Sequence, residues 1–444
     1  MSSTVVTCER CGMTFKYKSN LTKHLSRKNP CKEIVKNERI VIVNTHVDTA
    51  DISMSENMFT FIDLFCGVGG FHQALSSLGG KCVLACDVDK ECRNIYEKNY
   101  GLKPHDDVCK LDESNLPKFD IICGGFPCQP FSNAGKKQCR SDSRGQLFDE
   151  IIRIAQLRNP KFMFLENVKH IMKISNGEVM KYIIQTLDDN GYKVFVNTLS
   201  PHQLGIPQQR ERVIFSCIRK DIYDKNPTEF VLDVPDIFEM KSIFQEDEEI
   251  DDIYKVGEPL LSVFNAWDEM VKVFEVGQKM SPTILCAEFN STYTPEEFAS
   301  LPQWKRDYIE KNRPIYEKYK EHWDEWFSRH EELLRKREIY CKLEWQAGEK
   351  QKDDSIFNHF IQVRQSGIRV KRTKYFPTLV AMVQTPIYGK KMRYITPREC
   401  ARLQSFPDSF ILHPNPKVAY KQFGNAVNVD VIRTVAGQVL ELYT

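Results

Sequence analysis

The stretch GGFPCQPFSNAGKK, residues 124–137, sets Cys128 between two prolines just after a glycine pair. The prolines stiffen the segment, while Gly124 and Gly125 permit a sharp turn off a preceding strand. A thiol in such a loop can act as a nucleophile, provided that cations or backbone amides stabilise its thiolate. The chain has fifteen cysteines, most of them embedded singly in apolar runs such as VLACDV and IICGG. For any one of them the alternative is a small buried hydrophobe in a reducing compartment, and no disulfide framework is implied.

A second cluster, Cys8-x2-Cys11-x12-His24-x6-Cys31, offers four ligands, enough to close a tetrahedral zinc site. Phe15 and Leu21 stand where a small ββα finger places its core. The pattern resembles a zinc finger of the Cys-Cys-His-Cys kind and departs from the commoner type at its last ligand. Were its helix to enter a major groove, Tyr17, Asn20 and Lys23 would face bases, and Lys16, Lys18, Arg27 and Lys28 would face phosphates. One finger spans about three base pairs, so alone it tethers more than it specifies.

A third feature is FIDLFCGVGGF, residues 61–71, which reads as a strand, a glycine-dense turn and a helix beginning near Phe71. Asp87 ends the next strand and Asp107 follows the third, where carboxylates commonly hold ribose hydroxyls. The spacing Asp63-x-Phe65-x-Gly67-x-Gly69-Gly70 is not that of dinucleotide enzymes, and no Lys-Ser/Thr pair follows to grip a triphosphate. The pocket therefore suits an adenosine ligand without a phosphate chain, which points to S-adenosylmethionine.

These residues need a scaffold. The apolar runs FTFIDLF, CVLACDV, FDIICGG, KFMFLEN and RVIFSCI alternate with helix-like stretches such as FHQALSSLG and GQLFDEIIRIAQL. That alternation predicts an α/β fold with a doubly wound, mostly parallel sheet. It is lost after about residue 222, and all five tryptophans (Trp267, Trp304, Trp323, Trp326, Trp345) fall beyond, where they are expected to pack a second core. Residues 361–376 gather Arg364, Arg369, Lys371, Arg372 and Lys374, either a solvated face or a phosphate-contacting surface.

A chain of 444 residues should hold two or three domains, and 41% hydrophobic with 27% charged residues places it among soluble globular proteins. With 62 Lys plus Arg against 60 Asp plus Glu, the net charge of +2 leaves a polyanionic partner open, to be argued from local clustering. No run approaches the roughly 18 apolar residues of a membrane helix, so an intracellular, soluble, membrane-free protein is expected.

Taken together, DLFCGVGG, GGFPCQPFSNAGK, FLENVKHI, IPQQRERV, ITPRECARLQSFPDSF and QFGNAV resemble the ordered motifs of DNA cytosine carbon-5 methyltransferases. The resemblance implies an S-adenosylmethionine-dependent methyltransferase fold with a catalytic domain at 58–222, completed by a C-terminal helix at 418–444. A smaller target-recognition domain at 223–417 carries Thr378-Leu379, and a linker at 32–57 joins the finger at 1–31. The tryptophan-rich tract is longer than a minimal member needs.

By the same resemblance Cys128 is the nucleophile at cytosine carbon 6, and Glu166 assists at ring nitrogen 3, which requires a raised pKa. Asn167 holds the loop geometry, while Arg210 and Arg212 orient the base and the Cys128 loop. The methyl donor contacts Phe65, Gly67, Gly70, Asp87, Asp107, Gly125, Pro127 and Asn425. The target base must leave the duplex, and the loop from Gln129 to about Gly145, with Ser132, Lys136, Lys137 and Arg140, closes behind it. Thr378 and the basic segment are further candidates for DNA contact; Arg398 is read as structural. Double-stranded DNA is the expected partner of a monomer, with transfer RNA methylation or an inactive DNA-binding module as alternatives.

Overall fold

A computed structural model describes residues 58–127, 146–234, 239–280, 282–289, 291–381 and 384–444, with the backbone of two short strands nearer the N-terminus. The chain forms two compact units, 1–56 and 57–444. In the first, β1 (Val6–Thr7) pairs antiparallel with β2 (Thr14–Phe15), Val6 opposite Phe15. The four expected zinc ligands, Cys8, Cys11, His24 and Cys31, lie outside the described residues.

The second unit holds two six-stranded sheets. The first comprises β3 (Phe59–Leu64), β4 (Gly80–Cys86), β5 (Ile121–Gly125), β6 (Phe162–Val168), β7 (Tyr192–Leu199) and β8 (Arg212–Arg219). Its order is β4-β3-β5-β6-β8-β7. Only the β6–β8 and β7–β8 pairings are antiparallel, so five strands share a direction and β8 alone is reversed. The third strand expected before Asp107 reduces to one bridge between Cys86 and His105.

Successive side chains of a strand point to opposite faces, and both faces here are apolar. Phe61, Ile121, Cys123, Phe164 and Ile214 join one core, covered by α1 (Gly70–Ser76) and the C-terminal segment. Ile62, Ile122, Met163, Leu165 and Phe215 join the other, under α3 (Gln146–Arg158) and α4 (Glu178–Asp189). Between them in sequence, α2 (Lys90–Tyr100) opens on Asp89, whose side chain accepts from the amides of Glu91 and Cys92, and stops at Gly101.

The second sheet runs β14-β13-β11-β12-β10-β9, from β9 (Ile284–Leu285) and β10 (Lys342–Gln346) through β11 (Phe360–Arg364) and β12 (Gly367–Lys371) to β13 (Ile387–Tyr388) and β14 (Arg393–Tyr394). Against it pack α5 (Leu260–Val273) and α7 (Lys320–Arg335), the latter preceded by α6 (Gln303–Lys318). Trp267, Trp323, Trp326 and Trp345 are buried in this core, and the Trp267 and Trp326 rings lie 5.0 Å apart. Indole N–H groups donate to the carbonyls of Tyr340 and Ala266, which removes the cost of burying them. Trp304, expected in the core with the others, is instead 52% exposed at the start of α6.

The expected single C-terminal helix is two. After α8 (Pro397–Leu403), α9 (Pro416–Asn425) ends where Ala426 turns extended, and α10 (Val429–Tyr443) restarts under an Asn428 cap on the amide of Val431. Arg398 donates to the carbonyls of Pro407 and Phe410, a structural role as expected, though it ties its own neighbourhood rather than the second sheet.

Candidate active site

The carboxyl ends of the parallel strands bring the expected cofactor residues together. At the end of β3, Phe65 and Gly67 both adopt left-handed backbone, φ 55° and 53°. A non-glycine residue there is strained, as turns at ligand sites often are. The Gly67 amide donates to Asp87 at 2.7 Å, and the other Asp87 oxygen accepts from the Asp89 amide at 2.7 Å. A Cβ on Gly67 would meet nothing within 4 Å, so the turn faces open space. Burial raises the Asp87 pKa, and the two amides pull it back.

Two of the candidates also have local structural partners. A Cβ on Gly70 would lie 2.6 Å from Val427, so this glycine seats the C-terminal segment against the turn. Asp107 caps the short turn after the third strand by accepting from the Cys109 amide, and its carboxylate is half-buried. Asn425 is exposed at the last position of α9, and Pro127 is exposed at the edge of the described chain. Sequence reasoning passed over Val88, 83% exposed beside Asp87, whose signal was a lone apolar residue between two acids. It also passed over Tyr100, whose hydroxyl donates to the carbonyls of Val68 and Gly69 under the turn.

Next along the same edge, Gly125 of β5 is in register with Glu166 of β6. A Cβ on Gly125 would come within 3.3 Å of the Glu166 carboxylate, so the lack of a side chain lets the two strands' ends approach. Arg212 Nε lies 2.8 Å from Glu166 Oε1. Burial pushes the Glu166 pKa up, opposed first by Arg212 and then by Arg210. Asn167 donates its side-chain amide to the Phe126 carbonyl at 2.9 Å, which fixes the chain two residues before Cys128. Cys128 itself, with Ser132, Lys136, Lys137 and Arg140, lies outside the described residues.

Arg210 was expected beside the base. Its guanidinium is instead 3% exposed and turned inward, donating to the carbonyls of Leu379 at 2.6 Å and of Gly424 and Ala426 at 3.0 Å each. It is a positioning residue that ties the segment at Leu379 and the break between α9 and α10 to the first sheet. Thr378 is drawn in as well, its hydroxyl donating to the Gln209 carbonyl at 2.6 Å.

The basic segment is largely neutralised. Arg369 pairs with Glu344 and Arg372 with Asp354, Lys371 approaches the Gln209 side chain, and Lys374 sits over the Tyr375 ring. Arg364 donates through Nε to the Gln384 side chain. Among the described residues no group of three or more His, Cys, Asp or Glu could hold a metal, and no helix is long and apolar enough to cross a membrane.

Replacing Arg210 by lysine supplies one ammonium for three carbonyls spread over two segments, and leaves at least one buried acceptor unmet. Arg210→Lys is expected to lower stability by about 1–3 kcal/mol, read as a fall in the urea midpoint at constant slope.

Comparison with known proteins agrees with this geometry. Over most of its length the chain is similar to the type II methyltransferase M.HhaI of Haemophilus parahaemolyticus, with 30% identity covering 85% of this chain and 92% of that protein. It is likewise similar to the type II methyltransferase M.HpaII of Haemophilus parainfluenzae, with 32% identity covering 86% and 89%. Among solved structures, a DNMT2 variant from Spodoptera frugiperda shares the fold at 21% identity and a TM-score of 0.50, covering 86% of this chain and 99% of that one. The family described as C-5 cytosine-specific DNA methylase matches residues 59–441, nearly all of the second unit, and the chain belongs to that family.

Proposed function

We propose that the chain methylates carbon 5 of a cytosine flipped out of duplex DNA, with Cys128 as nucleophile, Glu166 as the acid at ring nitrogen 3 and Arg212 as the group that holds Glu166. The observation that carries this reading is the meeting, at the carboxyl ends of β5 and β6, of Glu166 and Arg212 with Gly125, which stands three residues before Cys128 in the chain. Carbon 5 is a poor nucleophile because attack from it would break the ring's aromaticity. Addition of the Cys128 thiolate forms a sulfur–carbon 6 bond and moves an electron pair into the ring, which becomes an enamine. Glu166 supplies a proton at nitrogen 3 as that charge develops, a task suited to a carboxyl whose pKa burial has raised. Carbon 5 of the enamine would then take up the methyl group, after which loss of the carbon 5 proton to a base and return of the nitrogen 3 proton to Glu166 re-form the ring's double bonds and expel the thiolate.

The turn fits an adenosine ligand without phosphates: space over Gly67, a carboxylate at Asp87 and an exposed apolar face at Val88. Phe65, Gly67, Asp87, Asp107, Gly125, Pro127 and Asn425 would hold S-adenosylmethionine there, with Gly70 contributing backbone only. When bound, this cofactor supplies the electrophilic methyl group. The loop carrying Ser132, Lys136, Lys137 and Arg140 would close over the extruded base. The N-terminal cluster Cys8, Cys11, His24 and Cys31 would bind one zinc ion as a small DNA-tethering finger, a reading supported by ligand number and spacing and by the β1–β2 pair that brackets residues 8–13.

With methyl-labelled S-adenosylmethionine, label is expected in duplex DNA and not in transfer RNA, and Cys128→Ala should abolish transfer. Label entering RNA alone overturns the substrate, and an active Cys128→Ala overturns the mechanism. The rate should fall as pH rises through the Glu166 pKa, because the protonated carboxyl is the working form. Arg212 lowers that pKa, so in Arg212→Gln the alkaline limb of the pH–rate profile should move to higher pH; an unmoved or lowered limb contradicts the pairing. The purified chain should carry one zinc per molecule, and Cys8→Ser with Cys11→Ser should lose it and weaken salt-dependent DNA affinity; retained zinc would refute the site.

A further inference from the structure

We propose that the cleft between the second sheet and helix α9 seats a backbone phosphodiester of the DNA substrate on Arg337, Arg364 and Lys417, several base pairs from the target cytosine. The proposal rests on the reading of the chain as a DNA methyltransferase.

The cleft has a volume of about 660 Å³, and its lining includes three cations and no carboxylate. Arg337 and Arg364 come from the second sheet's side and Lys417 from the first turn of α9, so a ligand held by all three bridges two parts of the fold. Gln365, Gln384 and Asn415 add amide groups to the same wall. The Gln384 side chain accepts from Arg364 Nε at 3.1 Å, which fixes one edge of the guanidinium. Among the described residues none of the three cations forms an ion pair.

That sets them apart from their neighbours. Arg369 and Arg372 spend their charge on Glu344 and Asp354, whereas Arg364 keeps its charge although burial and the nearby Arg369 oppose it and only Glu344, already paired, favours it. Outside the lining, the Asp251 carboxylate acts on the Tyr254 phenol at the rim. Unpaired cations with neutral donors and no acid suit a phosphate oxygen. The basic surface expected along 361–376 is thereby divided: Arg364 belongs to this cleft, completed by two residues from elsewhere in the chain, while Lys371 and Lys374 lie outside its lining.

Helix α9 runs from this cleft to Asn425, ten residues. At 1.5 Å per residue that is roughly 15 Å, or about four base pairs at 3.4 Å each. The phosphate concerned would thus lie about four nucleotides from the base held near Glu166.

The test uses the full chain and duplexes extending two or six base pairs beyond the target cytosine, with affinity measured from low to moderate salt. Wild type is expected to bind the longer duplex more tightly and with a steeper salt slope. Arg364→Gln and Lys417→Gln should each lose about one unit of slope on the longer duplex and shrink the gain from lengthening. Lys417 is exposed, so that variant separates lost contact from lost folding, which thermal unfolding of both variants also checks. Slopes and length dependence equal to wild type in both variants overturn the proposal. So does a loss confined to binding of inorganic phosphate, which would make the cleft a site for a free phosphate ester. Wild-type protein that labels no DNA would instead overturn the underlying functional reading.

Discussion

Everything at the candidate site depends on one reversed strand. Glu166 lies near the carboxyl end of β6, and Arg212 opens β8. Because β8 runs antiparallel to β6, its first residue sits beside that end, and Arg212 pairs in register with Val168. A parallel β8 would bring its last residue, Arg219, to this edge and carry Arg212, with Arg210 just before it, to the opposite end of β6. The reversal also places Arg210, just before the strand, under the segment at Leu379. The direction of one strand therefore sets both the charge state of the carboxyl and the anchor of the second sheet.

That anchor is unusual in its chemistry. A guanidinium removed from water ordinarily meets a carboxylate, but Arg210 meets three carbonyls from two distant segments. Carbonyl dipoles receive its two terminal nitrogens, while Nε is buried without a partner among the described residues, and with no carboxylate bound to it Arg210 still adds to the positive field that opposes Glu166's raised pKa. Burial and the like charge of Arg212 both work against Arg210, which makes the three carbonyls the terms that keep it in place. A single side chain thus joins the packing of residues 379, 424 and 426 to the electrostatics of the site.

Much of this was legible in the sequence because burial on both faces leaves a plain mark: β3, β4, β5, β6 and β8 were read as uninterrupted apolar runs. Strand β7 was not, since it lies at the sheet edge and most of its residues are only half-buried. The glycine turn and Asp87 could be placed from spacing alone, and Glu166 and Asn167 stand where the motif resemblance put them. What failed to show depends on pairings made across the fold. Nothing near Arg369 announces Glu344, 25 residues away, nor does Arg372 reveal Asp354, because β10 and β12 must align before either pair exists. The inward turn of Arg210 was hidden for the same reason, with partners up to 216 residues distant. The break between α9 and α10 had a local signal in Asn428, a capping residue that an unbroken helix would not need.

The return of the C-terminal segment to the first sheet has a consequence in time. Val427 covers the cofactor turn at Gly70, and the carbonyls that receive Arg210 belong to residues 379, 424 and 426. A ribosome adds roughly 5–20 residues per second, so Arg210 waits on the order of 10–40 s before its last acceptor is made. Throughout that interval the sheet's first five strands exist without the helix that covers one of their faces. A nascent chain can therefore hold no finished turn at Gly70 until synthesis has passed residue 427.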